Sequence, residues 1–248
     1  MRLVFGLPLR QAEGFLRSLF VLMGVDLQVP DHTTLSRRGK VLGTRLRNSG
    51  RSGPIHLIVD STGLSIVGEG EWAAAKHGGK GRRGWKKLHL GVDRAGVIVA
   101  QSLTDGNADD ASEGLVLLDS TDLAVKSFTG DGAYDSVAIY RAARARGAKV
   151  VVPPSKAVRM SRRRNPRSAE RDRAIRRVQK VGRRRWKKES GYHHQGRVEN
   201  TFFRLKSIVG DRLRARDSDA QATEALNACN ALNRMFELGR PRSVGGPR

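Results

Sequence analysis

The segment Ile55-His56-Leu57-Ile58-Val59-Asp60-Ser61-Thr62-Gly63 decides the fold. A short apolar run rich in β-branched residues, ending in a carboxylate and stopped by Ser61-Thr62-Gly63, reads as a strand over residues 55–60. Downstream, Leu88-His89-Leu90-Gly91-Val92-Asp93, the turn Arg94-Ala95-Gly96 and Val97-Ile98-Val99-Ala100 form a hairpin. Asp109 and Asp110 stand where a helix over Ala111–Asp119 places its N-terminal acids. A fourth strand, Ser127-Phe128-Thr129-Gly130-Asp131, leads into a helix from about Ser136 to Arg146. Gly147 ends that helix, and Lys149-Val150-Val151-Val152 makes a fifth strand, stopped by Pro153-Pro154.

Upstream, residues 9–24 carry Phe15, Leu19, Leu22 and Met23 at helical spacing, and after Val29-Pro30, Asp31 caps a second helix from about His32 to Leu46. Two short helices with a basic second member resemble a helix-turn-helix, and equally a helical pair packed on the core. Residues 157–189 are crowded with Arg and Lys. Such a block repels itself and is expected to be mobile, or ordered only on a polyanion. Helices from about Gly196 to Val209 and from Ser218 to Leu238 close the chain, and residues 241–248 are expected to be disordered. This order predicts an α/β chain with a mixed five-stranded sheet flanked by helices and a small N-terminal helical segment, the element order of the ribonuclease H-like fold.

Charge sets the class of partner. The 248 residues hold 47 Lys and Arg against 24 Asp and Glu, a formal net charge of +23. A field of that sign attracts DNA or RNA. Cys229 is the only cysteine, which excludes an intrachain disulfide and a thiolate zinc cluster. No apolar run approaches the roughly 18–20 residues that span a bilayer, and the N-terminal apolar stretch is too short for a signal peptide. A cytoplasmic protein with no membrane association is expected.

Asp60 and Asp131 each end a strand, and in a sheet of this order the two strands can be neighbours. A third carboxylate comes from the late helix. Its apolar stripe, Val198, Phe202, Leu205 and Val209, goes into the core, and Glu199 lies at the stripe's margin with Phe203 and Lys206 on the same flank. Mg²⁺ takes oxygen ligands, often one or two carboxylates with phosphate oxygens, and paired ions roughly 3.5–4 Å apart stabilise an in-line displacement at phosphorus. Taken singly, a strand-end Asp is commonly a turn former and a Glu beside an apolar stripe a solvated flank. Their conjunction in a basic chain with this element order favours a shared metal site.

At these residues the sequence resembles a known family. The pieces are Leu9-Arg10-Gln11-Ala12-Glu13-Gly14-Phe15, residues 29–38 (Val-Pro-Asp-His-Thr-Thr-Leu-Ser-Arg-Arg), Val59-Asp60-Ser61-Thr62-Gly63, Trp85-Lys86-Lys87-Leu88-His89-Leu90, Gly130-Asp131-Gly132-Ala133-Tyr134-Asp135 and Arg197-Val198-Glu199-Asn200. Together they are similar to transposases of the insertion-sequence-five group, within the insertion-sequence-four-like DDE superfamily, over about residues 3–238. The resemblance implies a catalytic domain over residues 51–240 carrying the basic insert 157–190, with the triad on Asp60, Asp131 and Glu199. It also implies two Mg²⁺ ions, for which Mn²⁺ can substitute, and DNA substrates: the element's terminal inverted repeats and a target, cut and joined by a homodimer or larger synaptic complex. The family's late signature fits Tyr192, Glu199 and Lys206, but its Arg position holds Gln195, with Arg197 two residues later.

The resemblance gives the basic stretches a role. Arg82, Arg83, Lys86 and Lys87 are expected on a phosphate backbone, with Trp85 available to stack on a base. Tyr192, Arg197 and Lys206 are the further DNA contacts, whereas His193 and His194 are read as DNA-facing or exposed rather than as a metal pair. Because the family has a further segment before the stretch that Met1 opens on, residues 1–50 are expected to be a truncated DNA-binding segment. The alternative function is therefore a truncated, inactive DNA-binding relic. A basic RNA-associated protein is a third reading, which has no need for acids at two strand ends and on a late helix.

Overall fold

The computed structural model describes residues 1–41, 45–47, 53–67, 85–155 and 169–239. Its centre is strand β1 (Ile55–Ile66), antiparallel to β2 (Trp85–Val92) on one side and parallel to β4 (Val125–Thr129) on the other. Strand β3 (Ile98–Asp105) pairs antiparallel with β2, and β5 (Lys149–Val151) pairs parallel with β4, giving the order β3-β2-β1-β4-β5. The sheet is mixed, as the sequence predicts, but a sixth strand, β6 (Arg212–Leu213), runs parallel to the far end of β1.

Alternation along β1 divides the core in two. Leu57 and Val59 pack toward helices α3 (Asp110–Asp119) and α4 (Val137–Ala145). Ile58 and Leu64 pack toward α7 (Gly196–Ile208) and α8 (Ser218–Leu238). Leu57, Ile58 and Val59 have no solvent exposure, which explains why this central strand reads as an apolar run rather than an alternation. The predicted α7 stripe goes inward: Val198, Phe202 and Leu205 are buried.

Three differences from the sequence expectation have physical causes. Strand β1 continues through Ser61-Thr62-Gly63, read above as a stop, because that segment pairs in register with His89, Leu88 and Lys87. Gly63 also leaves room for the Trp85 ring, whose Cε3 lies 3.4 Å from where a Cβ would stand. Second, the described part of the basic insert is ordered as α5 (Ala169–Val181) and α6 (Arg183–Ser190). Arg171 grips the buried Asp135 with Nε at 2.7 Å and Nη2 at 3.0 Å, and Glu189 joins Arg177 to Arg185 across the two helices. Third, α1 (Leu9–Leu22) buries only Ala12, while Leu22 and Met23 face solvent. Its partner α2 (His32–Val41) is capped by Asp31, which accepts from the Thr33 and Thr34 N–H groups, and Glu13 joins the two helices through the N–H and ring of His32.

Two fittings hold the layers. Asn233, in α8, brackets edge strand β3: it accepts from the Ile98 N–H at 3.0 Å and donates to the Ile98 carbonyl at 2.8 Å. Tyr134 lies between two glycines, where a Cβ on Gly114 or on Gly130 would come within 2.8 Å of its ring. Gly114→Ala should therefore destabilise the protein. The gain of about 1 kcal/mol in helix propensity is outweighed by about 1–3 kcal/mol of overpacking against Tyr134 and Ile139. Urea unfolding measures the balance, and a net gain in stability would show that the ring is not seated on Gly114.

Candidate active site

The pairing of β4 with β1 ends at Thr129 opposite Ile58. Beyond that point no described strand pairs with β1 on this edge until β6 reaches Ser65. The Ile55 N–H meets the Ala124 carbonyl on the β4 side, and by alternation residues 57, 59 and 61 present their backbone groups to the same side. At Val59 and Ser61 side chains take over. Gln195, buried at the turn Tyr192–Gln195, donates from Nε2 to the Val59 carbonyl at 3.0 Å. The Ser61 N–H donates to Asp60 Oδ1 at 2.8 Å. The gap at the carboxyl end of a parallel strand is the usual place for a ligand crevice in an α/β sheet.

Asp60 shares the face of Ile58, toward α7. Burial pushes its carboxyl up to about 6, against the lowering effect of the Ser61 N–H, and the negative charges of Asp131, Glu199 and Asp110 add to the rise. Asp131 lies two residues past β4 and caps the turn Gly132–Tyr134, accepting from the Ala133 N–H at 2.9 Å. Glu199 is exposed in the first turn of α7. Asp131 and Glu199 thus both bear electrically on Asp60. Among the described residues, however, no group of three His, Cys, Asp or Glu side chains stands close enough together to hold one ion.

Their chemistry fits a hard divalent cation: three oxygen-donor side chains on three elements, at a place where an anion is already unfavourable. A hollow of about 350 Å³ opens beside Glu199, lined by Lys187, Lys188, Tyr192, His193, Gln195 and Gly196. Tyr192 carries the Lys187 ammonium over its ring at 4.7 Å. Its hydroxyl is raised to about 12 by burial, then by the charges of Asp131, Asp60 and Glu199.

A family model described as a transposase DDE domain matches residues 51–234, and a second model of the same description matches residues 1–69. The chain belongs to the transposase DDE domain family. The family is one of transposases, whose substrate is DNA. Among the described residues no helix is long and apolar enough to cross a membrane.

The other sequence-predicted residues fall in different settings. Trp85 is 49 % exposed, with its ring laid over Gly106 and Gly63. Lys86 pairs with Asp105 at 2.7 Å. The Lys87 ammonium turns inward, donating to Asp110 at 2.7 Å and to the Ala108 carbonyl at 3.3 Å. Arg197 is exposed and Lys206 half-buried, while Arg82 and Arg83 lie outside the described residues. The His193 and His194 rings lie with centroids 4.2 Å apart, tilted 40° to each other. Sequence reading placed Lys187 and Lys188 only within the run of basic residues expected on a polyanion, and noted Gln195 only as a departure from a motif.

The raised Asp60 has a consequence for stability. Below about pH 4 it is protonated in folded and unfolded chains alike. Between about 4 and 6 only the unfolded chain releases the proton, so its contribution destabilises the fold as pH rises, and the penalty is complete above about 6. Asp60→Asn keeps the acceptor for Ser61 and removes the charge. In metal-free buffer it should stabilise the protein at pH 8 by on the order of 1 kcal/mol, discounted for solvent screening, and by almost nothing at pH 4. Paired denaturant titrations at the two pH values check this.

Proposed function

We propose that this chain is an insertion-sequence transposase that cuts and joins DNA at terminal inverted repeats, with Asp60, Asp131 and Glu199 as its metal-holding carboxylates. The observation that carries the reading is the gap where β4 leaves β1, at which Asp131, from the turn after β4, and Glu199, from α7, come within electrostatic reach of Asp60 on β1. The family membership supports the substrate and the reaction class.

When bound, a pair of Mg²⁺ ions, or Mn²⁺ in their place, would activate a water or a DNA 3′-hydroxyl and neutralise the leaving oxygen. The rest falls to the chain. Asp60 is the central ligand because its environment most opposes an unneutralised charge. Lys187 and Lys188 bring cations to the hollow beside Glu199 and suit a phosphate backbone. Phe203, 71 % exposed one turn beyond Glu199, and Trp85 offer surfaces for bases. Arg197 and Lys206 add backbone contacts from α7, and the net charge of +23 draws the polyanion in. A dimer or larger complex holds two DNA ends together, in the cytoplasm.

Nicking of a plasmid carrying the element's ends, with Mg²⁺, tests this. The wild-type chain should cut, and Glu199→Gln should bind the same DNA but lose cutting to background. A wild-type chain that binds and never cuts in either Mg²⁺ or Mn²⁺ would leave the DNA-holding relic as the function.

A further inference from the structure

A second polar assembly lies behind Asp60, on the other face of the sheet. Alternation sends Asp60 toward α7 and Ser61 toward α3. His89 stands opposite Ser61 in the β1–β2 ladder, and Lys87, two residues along β2, shares that face. The first turn of α3 covers all three. Asp109 serves as its cap, accepting from the Ser112 N–H at 2.8 Å, and Asp110 turns inward. Asp110 Oδ1 accepts from the Ser61 hydroxyl at 2.8 Å, and Oδ2 accepts from the Lys87 ammonium at 2.7 Å. The fully buried His89 brings Nδ1 to 3.6 Å from Oδ1, while its Nε2 lies 2.8 Å from the Thr104 hydroxyl.

This arrangement is costly. Asp110 adds a fourth negative charge within reach of Asp60, and the Lys87–Asp110 pair is largely withdrawn from water, at 16 % and 21 % side-chain exposure. An apolar pair would close the sheet against α3 at no such expense. Both Asp110 oxygens are already engaged, so it is not placed as a further cation ligand. What it grips is the residue whose N–H holds Asp60, on the stretch of β1 that β4 no longer supports.

We propose that Asp110 is a positioning residue for Asp60: neutralised by Lys87, it anchors Ser61 by the hydroxyl, and Ser61 fixes Asp60 Oδ1 by its N–H. The inference rests on Asp60 being a metal ligand, as proposed above. Groups that orient a ligand from behind typically change metal affinity or activity about 10–100-fold when removed.

The test is Mn²⁺ binding to the full chain, followed by loss of the free-ion electron paramagnetic resonance signal, alongside the kinetics of plasmid nicking. Asp110→Ala and Ser61→Ala should each weaken Mn²⁺ binding about tenfold and lower kcat more than they raise KM for DNA. The double variant should be no worse than Asp110→Ala alone, because the two act in series. Asp110→Asn, which keeps an acceptor for Ser61, should recover part of the affinity. Melting curves identify any variant that fails to fold, and Ser61→Ala, which deletes one hydroxyl, then decides the matter alone. Unchanged Mn²⁺ affinity in a folded Ser61→Ala, or additive losses in the double variant, would overturn the proposal. Asp60→Asn is the control: if it too leaves Mn²⁺ binding intact, the assignment of the metal ligand has failed rather than the positioning role.

Discussion

Much of the molecule turns on strand β4 stopping before β1 does. A parallel strand that ran on beside β1 would satisfy the backbone of Val59 and Ser61 with ordinary ladder bonds and leave no opening. Because β4 turns away at Gly130, those two groups must find partners among side chains, and the partners are Gln195 and Asp60. A buried backbone group without a partner costs roughly 1–3 kcal/mol, so the gap enforces its own furnishing. The same departure places Asp131 just past the strand and brings the residues before α7 against β1. Gly130 serves the departure in another way, since its missing Cβ is where the Tyr134 ring lies.

A cationic protein here sets three carboxylates, Asp131, Glu199 and Asp110, within electrostatic reach of a fourth, Asp60. With 47 basic side chains, the long-range field favours polyanions, while the short-range field at Asp60 opposes a further negative charge. On the proposed function, the surface charge would load DNA without a metal, and the acidic centre would accept phosphate only once a cation met its own charge. Lys187 and Lys188 stand at the boundary between the two fields, which suits a channel that must hold a polyanion beside carboxylates.

The sequence was most legible where a single period governs. β1 as a continuous apolar run, the hairpin of β2 and β3, and the stripe of α7 could all be read because burial on one or two faces leaves a pattern. Helix α8 was expected from about Ser218 to Leu238, where the structure has it. It failed where local chemistry has two uses. Ser61-Thr62-Gly63 has the composition of a turn, yet pairing with β2 keeps it extended. The arginines of the insert read as mutual repulsion, since the buried carboxylate that receives Arg171 lies far off in the chain, at Asp135. The α1 stripe was periodic but is only partly covered, with Leu19 half-buried, Phe15 against Phe5, and Leu22 and Met23 in solvent, because periodicity records which face is apolar and not whether anything covers it. At the site, Asp60, Asp131 and Glu199 could be nominated from strand ends and a helix flank. The roles of Gln195 and Asp110 could not, since each depends on a partner contributed by another element of the fold.

The bracket that Asn233 places on Ile98 bears on how the chain is made. Strand β3 is an outer strand, and its open backbone is a template for any extended segment that meets it. The residue that closes this position follows every described strand of the sheet in the chain, and so is synthesised after all of them. At about 5–20 residues per second, on the order of ten seconds pass between the synthesis of β3 and the arrival of α8. During that interval the nascent sheet has its central strands but an unsealed margin, and α7, with Glu199, joins it only shortly before the seal. Protection from misassembly at that margin therefore waits on α8, set by the order of segments along the chain rather than by any separate control.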